Sequence, residues 1–210
     1  MRLTKFGHAC VRIEHDGAVV VIDPGGFTSP EAVDGATAVL ITHEHPDHAY
    51  ADHLRRTDAP IWSVGGVRAS LPPDVAERVQ VVRSGDSIDV GFAVDVVGER
   101  HAEIHEELPR VDNSGYLLRV DGRKIFHPGD SLTSPGELID LLLLPVSAPW
   151  LKASECIDYA RRTAAERNLA IHDMVYSEAG LGIMDGHLNR FLDPQGQTYN
   201  RVAPATDATL

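Results

Sequence analysis

The sequence predicts an α/β fold in which sandwiched strands alternate with helices, and three observations support this class. Ala18–Ile22 is apolar at every position, which is typical of an inner strand covered on both faces. An amphipathic helical pattern extends over Ser154–Asn168, with Ile157, Ala160 and Ala164 on one face. Several apolar strands are followed at once by a sharp turn and an Asp or His, a pattern that places polar side chains along one edge of a sheet.

The composition is that of a globular protein. A chain of 210 residues with 43% hydrophobic and 24% charged residues predicts one domain spanning 1–210. No apolar run approaches the roughly 20 residues of a membrane span, and no secretion signal precedes the strand-like start at Met1–Phe6. Cys10 and Cys156 indicate two buried thiols in a reducing cytoplasm. The net charge of −12 argues against a nucleic-acid partner, so we expect a small-molecule substrate.

The first half of the chain predicts strands separated by short helices. Leu3–Glu14 and Gly17–Asp23 should form an antiparallel pair around the turn His15–Asp16–Gly17. A second inner strand at Ala38–Thr42 leads into a helix from about Pro46 to Arg55. The remaining segments are the strands Ala59–Val64, Gln80–Val82, Ser87–Val90 and Phe92–Val97 and the helix Val67–Leu71.

The second half continues the same alternation. Gly115–Val120 and Arg123–His127 form a hairpin, because Asp121–Gly122 between them is a strong turn signal. The later segments are the strand Leu141–Val146, the helix Ser154–Asn168 with Ser154 as N-cap, the strand Leu169–Ile171, the helix Ser177–Leu192, and an edge strand through Tyr199 and Val202.

The stretch His43–Glu44–His45–Pro46–Asp47–His48 places four potential metal ligands directly after a buried strand. His43 and His45 alternate, so both imidazoles can converge on one ion in an extended turn. Asp47 and His48 fall in the expected first turn of the following helix, where the helix dipole favours a carboxylate. The eleven histidines of the chain are a high count for this length and point in the same direction.

Further metal-capable residues follow other strands, and together they complete two sites. His43, His45 and His101 suffice for one ion, while Asp47, His48 and His172 supply a second ion and Asp130 can bridge the two. His105 competes with His101, but His101 directly follows its strand and is favoured. Nitrogen and oxygen ligands suit zinc, the first candidate for both ions, with manganese or iron as alternatives.

The ordered set of Asp23, the His43–His48 motif, His101, Asp130 and His172 resembles the metallo-β-lactamase superfamily over nearly the whole chain. The resemblance implies a four-layered αββα sandwich of two mixed sheets with a dinuclear site at one edge. Gly7–His8–Ala9, Ile22–Asp23–Pro24 and His127–Pro128–Gly129–Asp130–Ser131 look most like the ascorbate-6-phosphate lactonase (UlaG-like) branch. His48 stands where antibiotic-hydrolysing enzymes typically carry Arg, and His45 stands where flavodiiron oxidoreductases usually carry Glu.

The function implied is a hydrolase in which a hydroxide held by two metal ions cleaves a lactone, ester or phosphodiester of a small molecule. Asp47 is the expected catalytic residue, since a carboxylate at a metal can orient the attacking water and accept its proton. An iron-dependent oxidoreductase or dioxygenase on the same fold and a non-catalytic metal-binding protein are the alternatives. Neither a membrane nor a nucleic-acid partner is expected, and a homo-oligomer remains open.

Five other residues have predicted supporting roles. Asp23 is expected to orient a ligating His rather than to bind metal itself. His8 and His127 are expected to support the ligands in the same way or to face the substrate, and a purely structural role is an equal alternative for both. Trp150 and Lys152 follow a strand end at the active edge, so they could contact substrate, although a surface loop is the favoured interpretation.

Overall fold

Two seven-stranded sheets packed face to face form the centre of the protein, in a computed structural model that describes residues 1–208. Each sheet is mixed, with antiparallel strands on one side and parallel strands on the other. Helices cover both outer faces. The chain therefore has the predicted α/β class and the four-layered αββα arrangement.

The first sheet is built from the N-terminal part of the chain and one C-terminal strand. Its spatial order is β14-β1-β2-β3-β4-β5-β6, in which β14, β1, β2 and β3 pair antiparallel and β3 to β6 pair parallel. The strands are β1 (Arg2–Gly7), β2 (Cys10–His15), β3 (Ala18–Ile22), β4 (Ala38–Ile41), β5 (Ile61–Ser63), β6 (Val79–Val81) and β14 (Thr206–Asp207).

The second sheet repeats this division in the other half of the chain. Its order is β13-β12-β11-β10-β9-β8-β7, with parallel pairing from β13 to β10 and antiparallel pairing from β10 to β7. The strands are β7 (Ser87–Asp89), β8 (Ala93–Val97), β9 (Gly115–Val120), β10 (Arg123–His127), β11 (Leu141–Pro145), β12 (Arg167–Ile171) and β13 (Thr198–Asn200).

The inner strands are apolar at every position because both of their faces are covered. In β11, Leu141 and Leu143 face the core between the sheets, whereas Leu142 and Leu144 face the helices. β4 alternates in the same way between the inter-sheet core and the opposite helical layer. A fully buried Leu contributes about 1.5–3 kcal/mol relative to an exposed one, so these two strands contribute much of the stability that fixes the sheets.

Five α-helices form the two outer layers. The first sheet is covered by α1 (Ala51–Leu54), α2 (Gly65–Ser70) and α3 (Pro73–Ala76), and the second by α4 (Ala153–Thr163) and α5 (Glu178–Leu192). Short 3-10 helices lie at Pro30–Val33 and Asp193–Gln195. Among residues 1–208, none of these helices combines the length and the apolar character that crossing a membrane requires.

Two predicted elements at the metal-binding edge are wrong. Leu3–Glu14 is not one strand but two, because the chain reverses at Gly7 and His8, where φ is 125° and 49°. The helix expected from about Pro46 begins only at Ala51. Gly26 donates its N–H to the carbonyl of Pro46 at 2.8 Å, which ties this segment to the loop after β3. The helix-dipole argument for Asp47 therefore does not apply.

The helix predicted over Ser154–Asn168 is also shorter than expected. It ends at Thr163, since Ala164 adopts a left-handed conformation with φ of 53°, and Asn168 belongs to β12. Its N-cap is Lys152 rather than Ser154, and the carboxylate of Glu155 accepts a hydrogen bond from the Lys152 N–H at 3.2 Å. The predicted edge strand near Tyr199 is present as β13, whereas β14 was not predicted.

Candidate metal centre

The predicted ligands lie at one edge of the sandwich because the strands that precede them end there. β1, β3 and β12 are each followed directly by a non-glycine residue in the left-handed region, with φ of 49° for His8, 49° for Asp23 and 53° for His172. Such residues are uncommon and persist where surrounding contacts over-determine them. The backbone also joins the sheets here, since the His172 N–H donates to the His8 carbonyl at 2.9 Å.

One cluster of metal-capable side chains contains His43, His45, His101 and Asp130, whose ligand atoms all lie within 4.8 Å of one another. His43 Nε2 lies 3.0 Å from His45 Nδ1, and His101 Nε2 lies 3.3 Å from Asp130 Oδ2. The structure thus brings together the three histidines predicted for one ion. His105, the alternative to His101, is exposed and its Nδ1 accepts a hydrogen bond from the Glu107 N–H instead.

A second cluster contains His8, Asp47, His48 and His172, again with ligand atoms within 4.8 Å of one another. Asp47 Oδ2 lies 3.1 Å from His8 Nε2, 3.6 Å from His172 Nε2 and 3.8 Å from His48 Nε2. Three of these residues are the set predicted for the second ion. His8 was expected outside the ligand set, yet its Nε2 is the ring nitrogen that lies nearest to Asp47 Oδ2.

Asp130 lies between the two clusters. Its Oδ2 atom is 3.3 Å from His101 Nε2 in the first cluster and 3.1 Å from His172 Nε2 in the second. Its Oδ1 atom is 3.2 Å from His48 Nε2. A single carboxylate therefore touches ligand atoms of both groups, which is the position that a bridging ligand needs.

The pattern of unpaired atoms tests whether the centre fits metal ions. His48 Nε2, His101 Nε2, His172 Nε2 and Asp130 Oδ1 are buried and form no hydrogen bond with any part of the described chain. Leaving a buried polar atom unpaired costs about 1–3 kcal/mol, so four such atoms in one place indicate a ligand site. Imidazole nitrogens and carboxylate oxygens are the donors that zinc, manganese and iron accept. The residues therefore fit divalent metal ions.

The electrostatics of the centre hold its carboxylates ionised. Burial alone would raise the pKa of Asp47, but the hydrogen bond from His8 and the fields of His48 and His172 hold it below its usual range. Burial acts in the same direction on Asp130, and there His48 and His172 again outweigh it and lower the pKa. Burial lowers the pKa of His43 well below its ordinary value, so this ring is neutral and able to coordinate.

The ring nitrogens that face away from the clusters are held by neighbouring groups. His48 Nδ1 lies 2.7 Å from Asp23 Oδ2, and Asp23 also accepts a hydrogen bond from the Thr42 N–H at 2.7 Å. His101 Nδ1 and His172 Nδ1 lie 2.5 Å from the carbonyls of Ala102 and Ser147, respectively. Such partners fix the tautomer and the orientation of a ligating imidazole. Asp23 therefore occupies the orienting position predicted for it.

The other predicted supporting residues differ from one another. His127 hydrogen-bonds backbone groups only, since its Nε2 lies 2.9 Å from the Ala9 carbonyl and its Nδ1 accepts from the Gly129 N–H at 3.1 Å. It does not hydrogen-bond a ligand, so among the roles expected for His127 these contacts support the structural one. Lys152 extends into solvent with 79% of its side chain exposed and pairs with Glu155 at 3.5 Å.

Trp150 is neither a surface residue nor free to bind substrate with its indole N–H. Its side chain is buried, and Nε1 donates to Asp130 Oδ2 at 3.0 Å. The ring also contacts His101 and His172, with centroids 6.0 and 6.3 Å apart. Trp150 therefore positions Asp130 and is not part of a surface loop, while contact of its ring with substrate stays a prediction.

Sequence patterns did not identify three residues that support the centre. The Asn113 side-chain carbonyl accepts the Asp130 N–H at 3.0 Å, the Thr42 hydroxyl donates to Asp23, and the Ser147 hydroxyl donates to the His172 carbonyl at 2.6 Å. Thr42 and Ser147 each follow a buried strand, which is the signal that singled out Asp23 and His172. Asn113 lies in a long loop between β8 and β9 that carries no such signal.

Comparison with known proteins is consistent with this geometry. Residues 2–172 match the Beta-lactamase superfamily domain family. The chain is 36% identical to protein Rv0786c of Mycobacterium tuberculosis over 98% of its own length and all of the relative. It is 30% identical to the UPF0173 metal-dependent hydrolase MK1542 of Methanopyrus kandleri over 70% of this chain and 73% of that protein. Igni18, a metallo hydrolase from Ignicoccus hospitalis, shares the fold with a TM-score of 0.73 at 18% identity, over 99% of this chain and 97% of that one.

Proposed function

The chain belongs to the metallo-β-lactamase superfamily and is a metal-dependent hydrolase, and we propose that it uses two divalent metal ions to cleave a lactone, ester or phosphodiester bond in a small molecule. The observation that carries the proposal is the position of Asp130 between two groups of ligand atoms. Zinc is the first candidate for both ions, and manganese or iron would suit the same ligands.

Two groups of residues would hold the ions. His43, His45 and His101 would bind one ion and Asp47, His48 and His172 the other, with Asp130 shared between them. When bound, the ions supply Lewis acidity and make water nucleophilic at neutral pH. The absence of cysteine from both groups favours a catalytic centre over a structural zinc site, since structural sites are commonly built from cysteines.

Asp47 is the residue to which we assign the proton transfer. Its carboxyl is ionised at neutral pH because its pKa is lowered, and 23% of its side chain is exposed, so it can meet both the centre and solvent. The remaining proposed ligands except His45 are almost completely buried. Asp47 can therefore orient an attacking water, receive its proton and pass that proton to solvent or to the leaving group.

The UlaG-like branch is the proposed position within the superfamily. Three stretches that carry this likeness lie at or near the centre: His8 and Asp23 hydrogen-bond Asp47 and His48, and Asp130 touches both clusters. His48 and His45 stand where antibiotic-hydrolysing and flavodiiron members usually carry Arg and Glu. A hydrolase of a small intracellular metabolite agrees with these positions better than either of those activities.

Metal analysis combined with a hydrolysis screen tests the proposal. Protein purified without added metal should contain about two equivalents of metal by mass spectrometry and should hydrolyse at least one lactone, ester or phosphodiester. His43→Ala should retain one of the two metal equivalents. Asp130→Ala should also retain at most one equivalent and should no longer hydrolyse the substrate. His105→Ala serves as the matched control, because that exposed ring lies outside both clusters. Full metal content and full hydrolysis in Asp130→Ala would overturn the assignment.

A further inference from the structure

We propose that the substrate carries an apolar group, an acyl chain or an aromatic ring, beside its scissile bond; this narrows the substrate class and rests on the proposed hydrolase function. The carrying observation is a rim of exposed apolar side chains on the loops that bear the metal-capable residues. The rim comprises Phe27, Tyr50, Ile104, Leu108, Met174, Val175 and Tyr176.

The distribution of exposed apolar residues over the described chain is uneven. Eleven large hydrophobic residues are exposed, and the seven rim residues are all in four loops, 23–29, 42–50, 98–114 and 172–177. These are the loops that follow β3, β4, β8 and β12 and that carry the proposed ligands or their supporting residues. Exposed apolar residues gathered in one place mark a binding surface, whereas scattered ones are ordinary.

On the side of the second cluster, the rim touches the centre directly. The Phe27 ring stands edge-on to the His8 ring with centroids 5.2 Å apart, and Phe27 is 51% exposed. Met174 follows His172 by two residues, and its N–H donates to His8 Nδ1 at 3.3 Å. Phe27 and Met174 therefore flank the imidazole that contacts Asp47.

On the side of the first cluster, Ile104 and Leu108 line a small cavity together with His45 and His101. Leu108 is 53% exposed, so its side chain is available to a molecule that reaches the centre. The apolar rim thus borders both ligand clusters. A substrate with its reacting group at the centre would place its neighbouring atoms against these side chains.

The charges of the same loops disfavour a substrate that carries an additional anionic group beside its scissile bond. Arg100 and Arg110 are the only Lys or Arg residues in the four loops, and Arg100 is paired with Asp112 at 3.2 Å. Acidic residues are more numerous there, at Asp23, Glu44, Asp47, Glu99, Glu103, Glu106, Glu107, Asp112 and Asp173. Beside the first cluster, an anionic tail would meet Arg110, which has no ion pair within residues 1–208, and four exposed glutamates without ion pairs in that part of the chain, Glu99, Glu103, Glu106 and Glu107. A neutral apolar tail would bury apolar surface without that repulsion.

Hydrolysis of a chain-length series tests the proposal. For 4-nitrophenyl acetate, butyrate, hexanoate and octanoate, and for γ-lactones of matched length, kcat/KM should rise about two- to fourfold per methylene, as expected for partial to full burial. Phe27→Ser and Leu108→Ser should flatten this dependence, so that the ratio of the octanoate rate to the acetate rate falls, whatever the effect on the acetate rate itself. Phe191→Ser is the matched control, an exposed aromatic residue of α5 outside the four loops.

Binding provides a readout that does not depend on turnover. The neutral ketones 2-pentanone and 2-decanone, followed by saturation-transfer NMR on the metal-loaded protein, should bind with a preference of at least tenfold for the longer chain. Phe27→Ser should remove that preference and Phe191→Ser should keep it. If no ester, lactone or phosphodiester is hydrolysed, the proposed two-metal hydrolysis fails. The ketone preference and its loss in Phe27→Ser then still test whether the rim binds apolar chains.

Two results would overturn the proposal. If hydrolysis depends on metal but not on chain length, the proposed hydrolase function holds and the proposal of an apolar group in the substrate is rejected. The second result combines two measurements. If light scattering shows that the wild type is a dimer and that Phe27→Ser or Leu108→Ser is a monomer, and if the chain-length dependence is unchanged in these variants, the rim is a contact between two copies of the chain instead.

Discussion

His8 and Asp47 form a hydrogen bond, with His8 Nε2 3.1 Å from Asp47 Oδ2. The Met174 N–H donates to His8 Nδ1, so Nδ1 carries no proton and the ring proton is on Nε2. Burial lowers the pKa of His8 to about 4, which keeps the ring neutral near pH 7. In this tautomer Nε2 donates to Asp47 and does not coordinate a metal ion. His8 therefore positions Asp47 rather than joining the ligand set.

We expect His8→Ala to lower kcat by about 10- to 100-fold and to weaken the second metal equivalent, since partners of ligating carboxylates have effects of this size. KM should change less, because His8 lies behind Asp47. His8→Gln places an amide N–H near the position of Nε2 and should recover at least half of the loss on a logarithmic scale. Steady-state kinetics and metal titrations check both effects. If His8→Gln behaves like His8→Ala and lacks one metal equivalent, His8 is a ligand instead.

Trp150→Phe should weaken the centre by removing one hydrogen bond. The variant loses the donor to Asp130 Oδ2 while keeping most of the buried ring. An unpaired charged acceptor costs about 1.5–3 kcal/mol, so we expect a loss of about tenfold or more in kcat or in metal affinity. Trp62→Phe is the control, because Trp62 lies in β5 and contacts no proposed ligand. Activity and metal affinity equal to wild type in Trp150→Phe would show that the indole only fills space.

Gly25→Ala should disrupt the turn that carries Asp47 and His48. A Cβ atom at Gly25 would lie 1.8 Å from the Asp47 carbonyl oxygen and 2.4 Å from the His48 nitrogen, both backbone atoms that cannot move independently. We expect a loss of at least 1–3 kcal/mol in the free energy of unfolding and at least tenfold in activity. Chemical denaturation and kinetics measure the two effects.

Gly186→Ala is the matched control for that substitution. A Cβ atom there meets nothing within 4 Å, and the residue lies inside α5, so alanine should stabilise the protein by up to about 1 kcal/mol. If Gly25→Ala were as stable and as active as Gly186→Ala, the close approach of the Gly25 backbone to the Asp47–His48 turn would not matter to the centre.

The layers and most strands were predictable from the sequence, because a strand that is buried on both faces is apolar at nearly every position. β11 and the hairpin of β9 and β10 are cases in which composition and turn chemistry agree. The failures lie where tertiary hydrogen bonds override local preference. The carbonyl of Pro46 accepts a hydrogen bond from the N–H of Gly26, which lies in a different loop. The residues of 43–55 contain no local pattern that predicts this contact.

The ligands were predictable for the same reason as the strands, since His or Asp directly after an apolar run is a local signal. The supporting residues were not, because their partners are distant in sequence. Trp150 and Asp130 are separated by 20 residues, and His8 and Asp47 by 39. The role of His127 stayed open at the level of sequence because its position after β10 resembles that of a ligand, whereas its ring nitrogens hydrogen-bond the backbone of Ala9 and Gly129.

We expect Glu137, which is not one of the proposed ligands, to make a pH-dependent contribution to the free energy of unfolding. Hydrogen bonds from Arg119 and Lys124 pull the pKa of Glu137 from 4.5 down to about 2. A carboxyl with a lowered folded-state pKa stabilises the protein above its unfolded pKa, and this contribution is lost as pH falls from 4.5 to 2. Glu137→Gln should therefore be less stable than wild type at pH 6, and the difference should shrink by pH 3.

Urea midpoints of both proteins at pH 6 and pH 3 measure this difference, and any loss of metal in acid affects both proteins alike. The effect should be small and should weaken at high salt, because the three side chains are partly exposed. Glu77→Gln is the control, since Glu77 is exposed and forms no ion pair within residues 1–208, so its small difference from wild type should not depend on pH in this way. A gap between Glu137→Gln and wild type that is equal at both pH values would mean that Glu137 acts through packing or hydrogen bonding that does not require its charge.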